Sequence, residues 1–158
     1  PLSGHHNWVV VADSAYPAQC SGRIETIVAD ADHRVIVEKV VTAIRASGHV
    51  KATVYADAEL RHLHERDAPG ISSYRNWVTQ LVPEVCVLPH EEIISKVERA
   101  GSFRVLVIKS GLTIPYTSVF FELDCAYWNA DAETRLRSAM KAGRKRRSSV
   151  IRLTGPAA

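Results

Sequence analysis

Trp8-Val9-Val10-Val11 is an uncharged run of four large apolar residues, flanked by ionisable groups at His6 and Asp13. A β-branched run with no polar alternation is the pattern of a strand buried on both faces of a parallel sheet, so it directs the chain toward an α/β architecture. Asp13 then stands just past the strand's carboxyl end, the edge at which open α/β sheets bind ligands. An aspartate ahead of Ser14-Ala15-Tyr16-Pro17 also fits a turn residue capping its own loop, and position alone leaves both readings open.

The 158 residues suffice for one domain with a proper core and are too few for two. No window approaches the roughly 18 uninterrupted apolar residues of a membrane span, and no basic region followed by an apolar run opens the sequence. A cytoplasmic location away from membranes is therefore expected. Of the net charge of +3, five basic groups (Arg144, Lys145, Arg146, Arg147, Arg152) lie in residues 143–158 with no acid, so residues 1–142 carry 15 basic against 17 acidic groups. This divides the chain into a mildly acidic α/β domain, 1–142, and a basic C-terminal tail, 143–158. A lone basic run without interleaved aromatics reads as a solvated tail rather than a nucleic-acid contact. Cys20, Cys86 and Cys125 have no metal-ligand spacing, and Cys86 sits in an apolar strand pattern, so buried reduced thiols are expected.

The remaining elements alternate. Residues 23–28 read as a short strand. From Asp32 a helix follows, with Val35, Val37, Val40, Val41 and Ile44 on its apolar face, Asp32 as its cap and Gly48 after its last turn. Val50 to Tyr55 forms a strand ending at Asp57, and strand, helix, strand in that rhythm implies a parallel crossover. Residues 58–66 read as helical and are broken by Asp67-Ala68-Pro69-Gly70. Ser72 is placed to cap a helix carrying Trp77, Val78, Leu81 and Val82. Strands follow at 85–88, 103–109 and 119–123, with helices at 90–100 and 131–142, the last stopped by Gly143. The fold class is thus a three-layer α/β/α sandwich around a mainly parallel sheet, formed as a single domain.

Asp13, His90 and the Tyr116-Thr117-Ser118 loop all follow apolar strands, so parallel strands would gather them along one edge. His5 precedes its strand and belongs at the opposite edge, roughly 15 to 20 Å from Asp13 by strand rise.

Gly4-His5-His6-Asn7 followed by Val9 to Pro17 resembles the "GH-x-[DN], apolar strand, D-A-x-[FL]-P" signature of the D-ribose pyranase and L-fucose mutarotase family. Pro89-His90-Glu91-Glu92-Ile93 is similar to the "T-H-E-x-F" segment of the ribose branch. Lys109-Ser110-Gly111 with Pro115-Tyr116-Thr117-Ser118 resembles its "R-[ST]-G … P-Y-x-N" segment, and Tyr74-Arg75-Asn76 resembles a "Y-R-N" of the fucose branch. Together these pieces cover residues 3 to about 128.

The resemblance implies that His5 matches the catalytic histidine, that Asp13 and His90 match the sugar-binding aspartate and histidine, and that Tyr116, Thr117 and Ser118 match the sugar-binding loop. It also implies a homo-oligomer with sites at subunit interfaces, which would bring His5 of one copy to the pocket of another. Ser118 stands where the family usually has asparagine, reducing a two-ended amide contact to a hydroxyl. The helix that precedes the Gly-His pair in the family has no counterpart ahead of Gly4. Either the chain is truncated or the helix 131–142 covers the same apolar surface.

The implied activity is the interconversion of ring forms or anomers of a ribose- or fucose-like monosaccharide. Opening a hemiacetal needs one acid and one base and calls for no metal or other cofactor. An imidazole with an ordinary pKa of about 6.5 offers both protonation states near neutrality. His5 is assigned as proton donor or acceptor, Asp13 as its orienting partner or a hydroxyl acceptor, and His90 as a sugar ligand or second proton carrier. His33, His49, His62 and His64 read as solvated surface or helix-start residues.

Other chemistries fit less well. An aspartate-nucleophile phosphatase wants a second carboxylate two residues after Asp13, where Ala15 stands, and a dinucleotide site wants glycines in the first turn, where there are none. The non-enzyme alternative is a sugar-binding or scaffold oligomer of the same fold, for which Ser118 is the best support.

Overall fold

A computed structural model describes residues 3–19 and 22–150 of the chain, with side chains described through residue 143. Two units are distinguished, one running through Cys125 and one from Ala126 onward. The first unit is a six-stranded mixed sheet flanked by helices.

Its strands are β1 (Trp8–Ala12), β2 (Ile24–Val28), β3 (Val50–Asp57), β4 (Val85–Leu88), β5 (Val105–Lys109) and β6 (Val119–Cys125), in spatial order β2-β5-β1-β6-β3-β4. β5 runs parallel to β1 and β2, and β3 runs parallel to β4. Among the described strands β6 alone is antiparallel to its neighbours, β1 and β3. The carboxyl ends of the five parallel strands and the amino end of β6 therefore share one edge. The helices of this unit are α1 (His33–Ser47), α2 (Ile71–Leu81) and α3 (His90–Arg99). The crossover through α1 sets β2 and β3 parallel with three strands between them.

All five residues of β1 are buried, as expected of the central apolar run. Val9 and Val11 pack with Val54, Val119 and Phe121 against Ile36, Val37 and Val41 of α1 and Ile71 and Val78 of α2. Trp8, Val10 and Ala12 face the other way, packing with Val105, Val107 and Phe120 against Ile93 and Val97 of α3. Helices on both faces make the three-layer sandwich. Each buried large side chain contributes about 1.5–3 kcal/mol by leaving water.

Local chemistry sets the element ends. Asp32 accepts from the N–H groups of Arg34 and Val35 and caps α1, and Gly48 closes that helix at φ 68°, a left-handed conformation suited to glycine. Within α1 the buried stripe is His33, Ile36, Val37 and Val41, while Val35 points outward.

Several expectations are corrected. The helix expected over 58–66 is only a short 3-10 turn, Ala58–Arg61. The Arg75 guanidinium donates to the carbonyl oxygens of Leu60 and Leu63 at 3.0 and 2.8 Å, drawing both out of any continuing helical ladder. Ser72 does not cap α2. The cap residue is Gly70 at φ 91°, and the Glu65 carboxylate accepts from the N–H groups of Gly70 and Ser72. Cys86 is exposed because β4 is an edge strand, Cys125 is half-buried, and both are free thiols. Cys20 lies outside the described residues.

The second unit contains α4 (Ala130–Val150), which continues through Gly143 rather than stopping there. One glycine costs a helix only about 1 kcal/mol, and the lysine and arginines on either side favour helix. Residues 151–158 of the basic tail lie outside the described residues. No helix among the described residues is long and apolar enough to cross a membrane.

Candidate functional site

The shared edge of the sheet gathers groups from four chain segments. From the loop after β1 comes Asp13, which is buried. Its Oδ1 accepts from the Ala15 N–H at 2.9 Å, which makes it the capping turn residue that position alone allowed. Its Oδ2 accepts from the Ser118 hydroxyl at 3.2 Å, and its own N–H donates to that same oxygen at 3.3 Å. Asp13 thus caps its turn while standing at the edge where the parallel strands end.

From the ends of β3 and β4 come Asp57 and His90. Asp57 is 1% exposed, and His90 Nδ1 lies 3.0 Å from its Oδ1. The contact is of hydrogen-bond length but off the donor axis. Neither Asp57 oxygen has an aligned donor among the described residues.

Burial pushes the Asp57 carboxyl above its ordinary value, the charges of Glu59 and Asp13 add to this, and His90 opposes it. Contact with Asp57 holds the His90 imidazole above its own ordinary value against the pull of burial. The pair's position is fixed from below: the His90 N–H, at the start of α3, donates to the Glu59 carboxylate at 3.1–3.2 Å.

The loop ahead of β6 closes the group. Tyr116 adopts φ 58° and meets the His90 ring edge-on at 5.6 Å between centroids. Thr117 is buried, its hydroxyl donating to the Ile114 carbonyl at 2.7 Å. Ser118 is likewise buried, with its hydroxyl on Asp13.

His5 lies at the opposite edge. Its Nδ1 is 2.6 Å from Asp124 Oδ1 at the far end of β6, and Lys51 Nζ is 3.7 Å from the other oxygen. Partial burial raises the Asp124 carboxyl, but the Cys125 N–H, His5 and Lys51 bring it below its ordinary value overall. Within one copy, Asp13, His90, Tyr116, Thr117 and Ser118 are brought to one edge and His5 is not.

The sequence shows Asp57 only as the end of a strand and does not single out Glu59, although Asp57 ends a strand in the same way that Asp13 follows one. His33 departs from its expected surface placement. It is buried, with Nδ1 2.8 Å from the Ser110 hydroxyl and Nε2 3.1 Å from the Tyr74 hydroxyl. Its place at the first turn of α1 turns it toward the sheet edge. His62 and His64 are exposed, as expected.

No family model and no curated protein matches the chain in sequence. Solved structures do match in fold. Bacillus subtilis RbsD complexed with D-ribose aligns at a TM-score of 0.57 and 17% identity, covering 77% of this chain and 85% of that one. FucU from Bifidobacterium longum aligns at 0.51 and 17%, over 79% and 89%. The fucose mutarotase of Streptococcus pneumoniae in complex with L-fucose aligns at 0.50 and 14%, over 77% and 85%. This chain is similar to all three in fold.

Proposed function

We propose that the chain is a monosaccharide mutarotase or pyranase, opening and reclosing the ring of a ribose- or fucose-like sugar without a cofactor. The observation that carries the reading is the buried Asp57 in contact with the half-buried His90 beside Asp13, at the ligand edge of a fold shared with a ribose-bound protein and a fucose mutarotase. Ring opening moves two protons. A base takes the anomeric hydroxyl proton as the carbonyl forms, and an acid gives a proton to the ring oxygen as its bond to the anomeric carbon breaks. Reclosure reverses both transfers, either on the other face of the carbonyl or from a different hydroxyl.

In this reading Asp13 accepts a hydrogen bond from a sugar hydroxyl, and His90, backed by Asp57, carries one proton. His5 of a neighbouring copy carries the other, since within one copy its strand separates it from Asp13. The Tyr116 ring, beside His90, offers an apolar face to the sugar's C–H groups. Positioned acid and base groups are worth on the order of 10² to 10⁴ in rate, enough for a reaction that proceeds unaided in water.

One observation favours a second reading, a sugar-binding oligomer without turnover. The hydroxyl protons of Thr117 and Ser118 are both spent inside the protein, which leaves a sugar fewer donors from this loop. Exchange NMR on ribose and fucose with the wild-type chain and H5A separates the two. Faster anomer or ring exchange that H5A abolishes supports catalysis. Sugar binding with exchange no faster than in buffer overturns it.

A further inference from the structure

The buried imidazole of His33 has no part in the proton transfers above, yet it joins both loops that carry the candidate sugar ligands. We propose that His33 is the positioning residue of the site, a neutral imidazole protonated at Nε2 that locks the Asp13 loop to the Ser118 loop. Its consequence for turnover rests on the mutarotase reading, but its protonation state and its grip on the loops do not.

Counting protons fixes the tautomer. The Tyr74 hydroxyl donates its one proton to the Thr117 carbonyl at 2.6 Å, so toward His33 its oxygen accepts, and Nε2, 3.1 Å away, carries the proton. On the other side of the ring the Ser110 hydroxyl has one proton and two acceptors in reach, His33 Nδ1 at 2.8 Å and the Ala12 carbonyl at 3.1 Å. The Ala12 carbonyl already accepts from the Ser110 N–H at 2.9 Å. With the ring proton on Nε2, Nδ1 is a bare acceptor and the nearer of the two, so it takes the hydroxyl proton, and the Ser110 oxygen still accepts from the Leu112 N–H at 3.3 Å. A neutral Nε2–H imidazole leaves every member of this chain of bonds satisfied, the condition under which a buried polar network fixes one structure.

The groups linked are those that place the ligands. Ala12 immediately precedes Asp13, and Ser14 is tied to the same partner loop by its N–H to the Leu112 carbonyl at 2.8 Å and by its hydroxyl to the Ser110 carbonyl at 3.2 Å. Thr117 immediately precedes Ser118. His33 thus bridges the two loops from beneath, through Ser110 on one side and Tyr74 on the other. The charges acting on it are the carboxylates of Asp13, from the loop after β1, and Asp32, its own helix cap; Ser110 and Tyr74 are uncharged. Burial outweighs the Thr117 carbonyl and both carboxylates and lowers the imidazole below its ordinary value, consistent with the neutral form.

Nitrogen-15 NMR of the full chain tests the tautomer. The expected result is a protonated Nε2 and a bare Nδ1 at neutral pH, with any titration of His33 falling below that of a free imidazole. Protonation at Nδ1, or titration with an ordinary midpoint, overturns the proposal. The grip on the loops is tested with H33Q, whose carboxamide offers one donor and one acceptor, and H33F, which fills the space with neither. H33F should shift the amide resonances of both Asp13 and Ser118 and weaken sugar binding by about tenfold, the loss expected for one or two hydrogen bonds. H33Q should keep most of both.

Equal behaviour of folded H33Q and H33F would reduce His33 to packing and overturn the proposal. If H33F does not fold, Y74F cuts the same bridge at the hydroxyl that reaches Thr117, and an unmoved Ser118 amide is then the contrary result. A wild-type chain that exchanges no sugar would sink the mutarotase reading, while the tautomer and amide shifts still decide this one.

Discussion

The Nδ1 atom of His90 lies 3.0 Å from Oδ1 of Asp57, a carboxyl sealed from solvent and without an aligned hydrogen bond among the described residues. That contact holds His90 protonated to higher pH than a free imidazole. D57N should therefore lower the His90 midpoint, read by NMR titration of its ring protons. The sign for stability follows. A histidine whose folded pKa is raised contributes stability that is fully present below about pH 6.5, the unfolded value, and is lost as pH rises through the higher folded value. D57N should remove that part of the pH dependence in urea unfolding. Turnover should fall by on the order of 10², since the proton carrier loses its partner. An unchanged His90 midpoint would show that the pair is not coupled.

His5 and Asp13 occupy opposite edges of the same sheet, so a site using both must draw them from two copies. H5A and D13A should each be inactive alone by on the order of 10² or more. Mixed and reassembled, they should recover part of the wild-type exchange rate, because some interfaces pair an intact His5 with an intact Asp13. Exchange NMR on the mixture reads the recovery. No recovery from subunits shown by native mass spectrometry to have mixed would remove His5 from the site.

Ser118 both accepts from the Asp13 N–H and donates to its carboxylate, at a position closed to water. S118A leaves a buried carboxylate oxygen and a buried N–H each one partner short, at a cost of about 1–3 kcal/mol. Urea unfolding should show that loss, with sugar affinity falling in parallel. A stability within error of wild type would mean that water replaces the hydroxyl and that Asp13 is more open than its burial indicates.

The central strands were legible because burial on both faces of a sheet leaves an unbroken apolar run, as in Trp8 to Val11, and any ligand edge lies at a predictable end of such a run. Asp13 and His90 were readable from that rule. Asp57 obeys it equally, but no motif drew attention to it, and the reason it matters is its contact with His90 across two neighbouring strands. His33 was misplaced for a related reason. One polar residue after a helix cap looks solvated, and only the packing of α1 and α2 against the sheet shows that Ser110 and Tyr74 receive it. The short turn at Ala58–Arg61 was missed because Arg75, on another helix, competes for its carbonyls. Long-range partners of polar groups are what periodicity does not encode.

That last competition bears on the site. Arg75 holds the carbonyls of Leu60 and Leu63, and the turn so fixed carries Glu59, whose carboxylate receives the His90 N–H. R75A frees two carbonyls that can then rejoin a helical ladder, so residues 58–66 should lose their turn geometry and Glu59 should move off His90. The expected outcome is a loss of about 1–3 kcal/mol in urea unfolding together with faster amide exchange at His90. R75K should not restore either, because an ammonium is a point charge while the guanidinium reaches both carbonyls from one nitrogen of a rigid fork. If R75A speeds exchange in residues 58–66 but leaves the His90 amide protected, Glu59 is held by its own strand end, and the turn contributes nothing to placing the imidazole.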